Sequence, residues 1–486
     1  MKIFKKPIFV SISPNAQADD VWLAFKLMFM PWRWKEDKSC PRHSEFISES
    51  KRKRSRNKFG MTNRCAICQF EKRLGEYLFS VRHPSPPRAD QDDNSPVRII
   101  TFESGRTALD AILQALEIKK GDEVLVQGFT CTAAVNPILW VGAKPVYVDV
   151  EDGTYNMSPD DLEKKITSRS RVVIIQHTFG FPARVSEILS IAKKHNLLVV
   201  EDCAHSLGAE YNGQKTGTFG DAAIFSFGRS KVISAVFGGA AVARNPRLAE
   251  KIREIQNKWE YPSHGWILQQ LFHSPYIAIA KFLYNFLSIG KVMIVVAKKL
   301  GLISVMVYSV EKSGGKPPFG PAKMPNALAC LGLNQLNKVE KFNEHRRELA
   351  RFYGEKLQPF CHSEGDSPKN LVNMNEILRY AQDDKKCKPI FLNFPIQVRN
   401  FGVRWKLIGE ARVRGIYLES WPAKDKKVIG PDNVCQEKLG YEDGLCPAAE
   451  KAASTSINLP TSPNTSKDDA ERVVKFIEKF FVNHKS

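Results

Sequence analysis

An α/β fold, a mostly parallel sheet with helices on both faces followed by a smaller α+β domain towards the C-terminus, is what this 486-residue sequence predicts. Two observations carry that expectation. Between about residues 100 and 245, short apolar runs alternate with helical segments, the pattern of strands joined by helical crossovers. In addition, Asp202 and Lys231 each stand just past an apolar run, and sheets of this kind place their sites at the carboxyl ends of strands.

The elements follow in order. Thr107–Leu116 reads as a helix ended by Lys119-Lys120-Gly121-Asp122, and Glu123–Gln127 and Lys144–Asp149 read as strands. Ser158 is placed to cap a helix with Pro159 in its first turn. Arg171–Gln176 is expected as a strand, Val185–His195 as a helix and Leu197–Val200 as a strand. Residues 325–357 read as one long polar-faced helix or two. Residues 389–480 mix strands with a final helix, Asp468–Phe481. The expected domains are an N-terminal segment 1–99, a large domain 100–260, an apolar and basic insertion 261–322, and a small C-terminal domain 323–486.

Two polar stretches, about 40–63 and 361–386, both begin near a His-Ser-Glu triplet and lack a clean period, so surface insertions without catalytic role are expected there. Residues 264–310 are rich in Ile, Leu, Phe, Val and Tyr but interrupted by Lys281, Lys291, Lys298 and Lys299. No run of about 18 uncharged, strongly apolar residues exists in it, which argues against a spanning helix. A dimer-interface or core hairpin is the expectation, with a basic amphipathic pair on a membrane surface as the other reading.

The apolar share, 43%, is ordinary for a globular chain, and the formal charge of +20 admits an anionic substrate, an anionic membrane surface or nucleic acid. Lys51–Lys58 carries six basic groups in eight residues and reads as a solvated loop, and no nucleic-acid motif accompanies it. The ten cysteines are scattered. Cys65 and Cys68 form one CxxC, but no second pair completes a zinc site, so no metal is expected. The short apolar run Ile8–Ile12 is a poor signal peptide, and a reduced, cytoplasmic protein is expected.

The chemistry gathers on four devices. Lys231 follows the apolar run Ala222–Ser226 and precedes Gly238-Gly239, where the backbone must turn tightly or approach something closely. Asp202 ends another apolar run and could equally be a helix cap. Ser104-Gly105-Arg106-Thr107 opens a helix, whose N–H groups and positive end suit an anion, and Ser226 would add a hydroxyl. His205, one helical turn from Asp202, can face a flat ring. A lysine amine, an acid and a phosphate cup are the parts needed to hold and use pyridoxal phosphate (PLP): the lysine bonds to the cofactor, and the acid keeps the pyridine nitrogen protonated.

In this order and spacing the devices resemble the PLP-dependent nucleotide-sugar aminotransferases of the DegT/DnrJ type. The words that carry the resemblance include Ser104-Gly105, Gly121-Asp122-Glu123-Val124, Glu201-Asp202-Cys203-Ala204-His205-Ser206-Leu207-Gly208-Ala209, Gly217-Thr218-Phe219-Gly220-Asp221-Ala222-Ala223 and Met324-Pro325-Asn326-Ala327. The resemblance implies the fold-type-I PLP architecture, a homodimer, and transfer of an amino group from glutamate to a keto-sugar on a nucleotide carrier, for cell-surface glycan synthesis or a related route. By position it implies Lys231 as the Schiff-base lysine and Asp202 as the partner of the pyridine nitrogen. His205 falls near the cofactor hydroxyl, and Ser226 with Gly105, Arg106 and Thr107 at the phosphate. Two departures stand out. Arg106 replaces a Thr and could bring a guanidinium to the phosphate, and the position that usually stacks an aromatic ring on the cofactor is Cys131, unless Phe129 takes it over. A non-catalytic regulator or membrane-associated scaffold on the same fold is the alternative reading.

Overall fold

The computed structural model describes residues 7–10, 12–35, 65–80, 98–284, 286–360, 371–372, 377 and 386–484. Its centre is a seven-stranded sheet in the order Arg98–Phe102, Gly239–Ala243, Ala222–Ser226, Leu198–Asp202, Ser170–Gln176, Glu123–Gln127, Lys144–Val148. Only Gly239–Ala243 runs antiparallel to its neighbours, and the remaining strands are parallel to one another. The strands are apolar almost throughout, as strands covered on both faces must be, and two large clusters of buried side chains flank them. The fold is thus the expected α/β type. Ser158 caps its helix by accepting from Asp161 N, with Pro159 in the first turn.

Residues 325–357 form two helices, Asn326–Leu336 and Val339–Leu357, broken where Lys338 turns out to bond Asp19 and Asp20. The C-terminal part is α+β. An antiparallel sheet of Leu371–Val372, Phe394–Val398 and Ser456–Leu459 is packed by the helices Phe401–Val413, Pro447–Thr455 and Lys467–Asn483.

The N-terminal segment is woven into the rest of the chain. Ile8–Phe9 pairs with Ile416–Tyr417, and the helix Ala66–Leu78 buries Phe70 and Leu74 against the large domain. Cys65 is buried at the start of that helix beside Asn326, whose Oδ1 accepts from Ala66 N at 2.8 Å. The expected insertion 40–63, with its basic run, lies outside the described residues. Of 361–386, the described residues are not all surface: Leu371 joins the small sheet, and Leu371 and Ile377 are buried in the main core. Residues 264–310 form a helical hairpin, His264–Phe282 and Ile289–Lys299, closed by Tyr276 Oη donating to the carbonyl of Met293 at 2.8 Å.

Candidate active site

The sheet brings the sequence-predicted residues to one edge. Leu198–Asp202 ends on Asp202, and its neighbour places Ile224 opposite that residue, so Ser226 stands two residues beyond the level of the acid. The chain then turns through Phe227–Lys231, with Lys231 N donating to Gly228 O at 3.1 Å, and returns into Gly239–Ala243. A Cβ on Gly239 would fall 2.3 Å from the N of Gly105 and the carbonyl carbon of Ser104. Only glycine lets the returning strand pass this close to the opening of the helix Gly105–Ala115. A Cβ on Gly105 would in turn lie 3.0 Å from that of Ser226. The helix opening, the hydroxyl and the lysine turn therefore share one small cradle.

The charges there act on one another. Loss of water pulls the Lys231 amine below the usual lysine range, against the opposing pull of Cys131 and Asp202. Burial pushes the Asp202 carboxyl up, while the Ala204 N–H on its Oδ1 (2.9 Å) and the Lys231 charge pull it back. His205 is buried and held well below its normal range by desolvation and then by Lys231. Its imidazole is neutral, and since Nδ1 accepts from Phe179 N (3.4 Å), the proton sits on Nε2. The ring lies parallel to Phe179 at 6.3 Å and edge-on to Trp421 at 5.2 Å.

The phosphate side differs from expectation in two respects. The Arg106 guanidinium is buried and bonds the carboxylate of Glu311 and the carbonyl of Met306 (2.6 Å), so it is committed to the segment after the hairpin. The Thr107 N–H goes to Ser104 Oγ at 3.3 Å, and its hydroxyl to Glu103, whose buried carboxyl is pushed up to about 7 by desolvation. Among the described residues no hydrogen bond is found for the Arg106 N–H or the Ser226 hydroxyl, and a helix opening of this kind is chemically suited to an anion. Nor does Phe129 take over the ring stack. It is wholly buried between Tyr155 and Trp421, at 5.3 and 5.0 Å. Cys131 instead opens the helix Thr132–Trp140, with Sγ accepting from Ala133 N at 3.3 Å.

Several positioning residues had no signal in the local sequence. Asn15 Nδ2 donates to the carbonyls of Lys231 and, at 3.2 Å, Val232. Arg346, fully buried, donates to Val232 O and Asn15 Oδ1 at 2.8 Å each. Beneath Asp202, His177 accepts from Ala183 N and so presents Nε2–H to Glu201 at 3.1 Å. Glu201 also accepts the N–H groups of Gly217, Phe219 and Gly220. Phe179, whose backbone is left-handed at φ 54°, and Trp421 form the aromatic wall. The Gly-Thr-Phe-Gly word at 217–220 was the visible trace of the Glu201 cradle.

A lysine amine held towards neutrality, a buried acid facing it and a glycine-lined helix opening with a hydroxyl define a PLP enzyme of the α/β class. The model of the DegT/DnrJ/EryC1/StrS aminotransferase family matches residues 97–265 and 320–478, and the chain belongs to that family. It is 27% identical over 383 residues to GDP-perosamine synthase of Escherichia coli O157:H7, covering 78% of this chain and 85% of that one. To UDP-N-acetyl-3-dehydro-alpha-D-glucosamine 3-aminotransferase of Acidithiobacillus ferrooxidans it is 44% identical over 164 residues, 33% of this chain and 44% of the other. A Streptococcus pneumoniae chain described as a sugar aminotransferase and solved in its PLP form has the same fold. The TM-score is 0.66 at 18% identity, over 98% of this chain and 99% of that one. The protein is a PLP-dependent aminotransferase.

The residues present fit the cofactor, because a buried acid and a buried lysine amine act on each other's charge beside a helix opening that Gly105 and Gly239 keep free of side chains. When bound, PLP supplies an electron sink for carbanion chemistry.

Proposed function

We propose that the enzyme moves an amino group from glutamate to a keto-sugar carried on a nucleotide. The observation that carries this reading is the Lys231–Asp202 pair at the strand ends, in a chain whose relatives act, by name, on GDP- and UDP-linked sugars. In this reading Lys231 Nζ, pulled below the usual lysine range by burial, holds the cofactor between turnovers. During turnover it takes and returns the proton at the amine-bearing carbon of the substrate. Asp202 holds a proton at the ring nitrogen. The neutral His205, with its proton fixed on Nε2 by Phe179 N, offers a donor near the ring. Gly105 N, Arg106 N and Ser226 Oγ bind the phosphate.

The test is glutamate added to the holoprotein. The visible absorbance of the lysine-bound cofactor is expected to fall as 2-oxoglutarate appears, and to return when the correct nucleotide-linked keto-sugar is supplied. Lys231→Ala should lack both the absorbance and turnover, while its melting curve stays cooperative. Glutamate without effect on the wild-type spectrum would favour the non-catalytic regulator, and turnover in the variant would refute the lysine's role.

A further inference from the structure

The outer face formed by the N-terminal helix and the hairpin has no partner within the described chain. The helix Ala18–Met28 packs along His264–Phe282. On its outer side Trp22 stacks on Phe25 at 5.7 Å and Phe25 meets Phe29 at 5.2 Å, with Lys26 Nζ 5.1 Å from the Trp22 ring. A groove of about 790 Å³ separates Val21, Trp22 and Phe25 from Pro275, Ala278 and Phe282. Exposed apolar surface continues beyond it: Phe282 is 87% exposed, Leu287 77% and Trp32 73%, and Val292, Val295 and Leu300 are exposed along and after the second hairpin helix. A face this apolar on a soluble chain marks an interaction site.

The hairpin side of the face carries one sign of charge, and Asp469, which lines the groove, is bonded to Arg472 at 3.2 Å. From Tyr261 to Val310 the sequence contains no Asp or Glu, but it has Lys281, Lys291, Lys298 and Lys299. The acids of the neighbouring helix, Asp19 and Asp20, are bonded to Lys338 at 2.8 and 3.0 Å. The family model stops at residue 265 and resumes at 320, so all of the hairpin beyond its first two residues is matched by neither of its segments. A two-fold contact would set this face against itself, lysines towards lysines, with no hairpin acid to pair them. An anionic bilayer surface answers both halves of the chemistry. Apolar side chains enter the acyl boundary, tryptophans sit at headgroup level, and ammonium groups on long stems reach lipid phosphates.

We propose that Ala18–Trp32 and the 264–300 hairpin dock the enzyme on an anionic phospholipid bilayer, lying in its surface. Among the described residues no helix is long and apolar enough to cross a membrane. The proposal stands independently of the aminotransferase reading.

The experiment is sedimentation of the full-length holoprotein with vesicles of phosphatidylcholine alone, or with one third phosphatidylglycerol. Binding is expected to require phosphatidylglycerol and to weaken as salt shortens the screening length. Phe282→Ser with Leu287→Ser, and separately Lys291, Lys298 and Lys299 to Gln, should each reduce partition. The lysine set should reduce it on the order of a hundredfold, about fivefold per charge. Cofactor absorbance and the glutamate half-reaction should be unchanged in both, which shows an intact fold and keeps this test separate from that of the enzyme's chemistry. No binding, equal binding to both vesicle types, or partition indifferent to both variant sets would overturn the proposal. So would dissociation of an oligomer by the Phe282/Leu287 pair with unchanged partition, which would make the face a subunit contact.

Discussion

At Lys231 the physical effect that matters is lost hydration, because the amine ionises less readily than a surface lysine. A lowered pKa means that the neutral, nucleophilic amine is already populated below the range where ordinary lysines deprotonate. The rate at which apoprotein captures PLP should therefore rise with pH around a midpoint below 10.5, the ordinary lysine value. A midpoint at or above that value would show that desolvation does not poise this amine. Arg106 is a case where the residue was legible and its partner was not. Its place at the helix opening suggested a phosphate ligand, but Glu311, 205 positions later in the chain, claims the guanidinium in a buried ion pair. Arg106→Met should consequently destabilise the apoprotein by about 3–5 kcal/mol in denaturant titrations, since it strands a buried carboxylate. Arg106→Met combined with Glu311→Met should recover most of that loss. An apoprotein as stable as wild type, with only PLP affinity reduced, would restore the phosphate role.

Among the elements, the strands and the short lysine turn were legible because each announces itself locally: an apolar run, a boundary glycine, a capping serine. Ser158 with Pro159, and Gly238-Gly239, do what their residue types suggest. What holds the turn in place was not legible. Asn15 reaches it from 216 residues away and Arg346 from more than 110, and no periodicity links such positions. Asn15→Ala removes the side-chain donor to two carbonyls of the turn and should cost about 1–3 kcal/mol of stability. As a positioning residue it should also lower kcat in steady-state assays while leaving KM for glutamate within about twofold. A loss of stability alone, with kcat intact, would reduce Asn15 to a structural role.

Over the whole molecule, the expected division into an N-terminal segment, a large domain and a small domain understates how they interlock. Ile8–Phe9 is a strand partner of Ile416–Tyr417, and Trp421, from the C-terminal part, walls the site beside His205. Composition shifts along the chain mark where segments differ in character. They carry no record of contacts made across hundreds of residues, and for that reason the aromatic wall of Phe179 and Trp421, 242 positions apart, escaped the sequence reading. The hairpin shows the converse. Its lysines and apolar residues were plain in the sequence, and of the two expectations for it, a core hairpin and a dimer-interface hairpin, the core hairpin does not hold, because much of its apolar surface is uncovered.

The single antiparallel strand also imposes an order of events on synthesis. Arg98–Phe102 bonds in the central sheet only to Gly239–Ala243, about 140 residues further along. As the chain leaves the ribosome, this apolar strand must wait at an unpaired edge, with the helix that opens at Gly105 unanchored behind it, until residue 243 has emerged. The helix opening at Gly105 is therefore among the last parts of the large domain to settle. A nascent chain cannot be loaded with its cofactor early, and the interval before that strand arrives is when the chain is most open to misassociation.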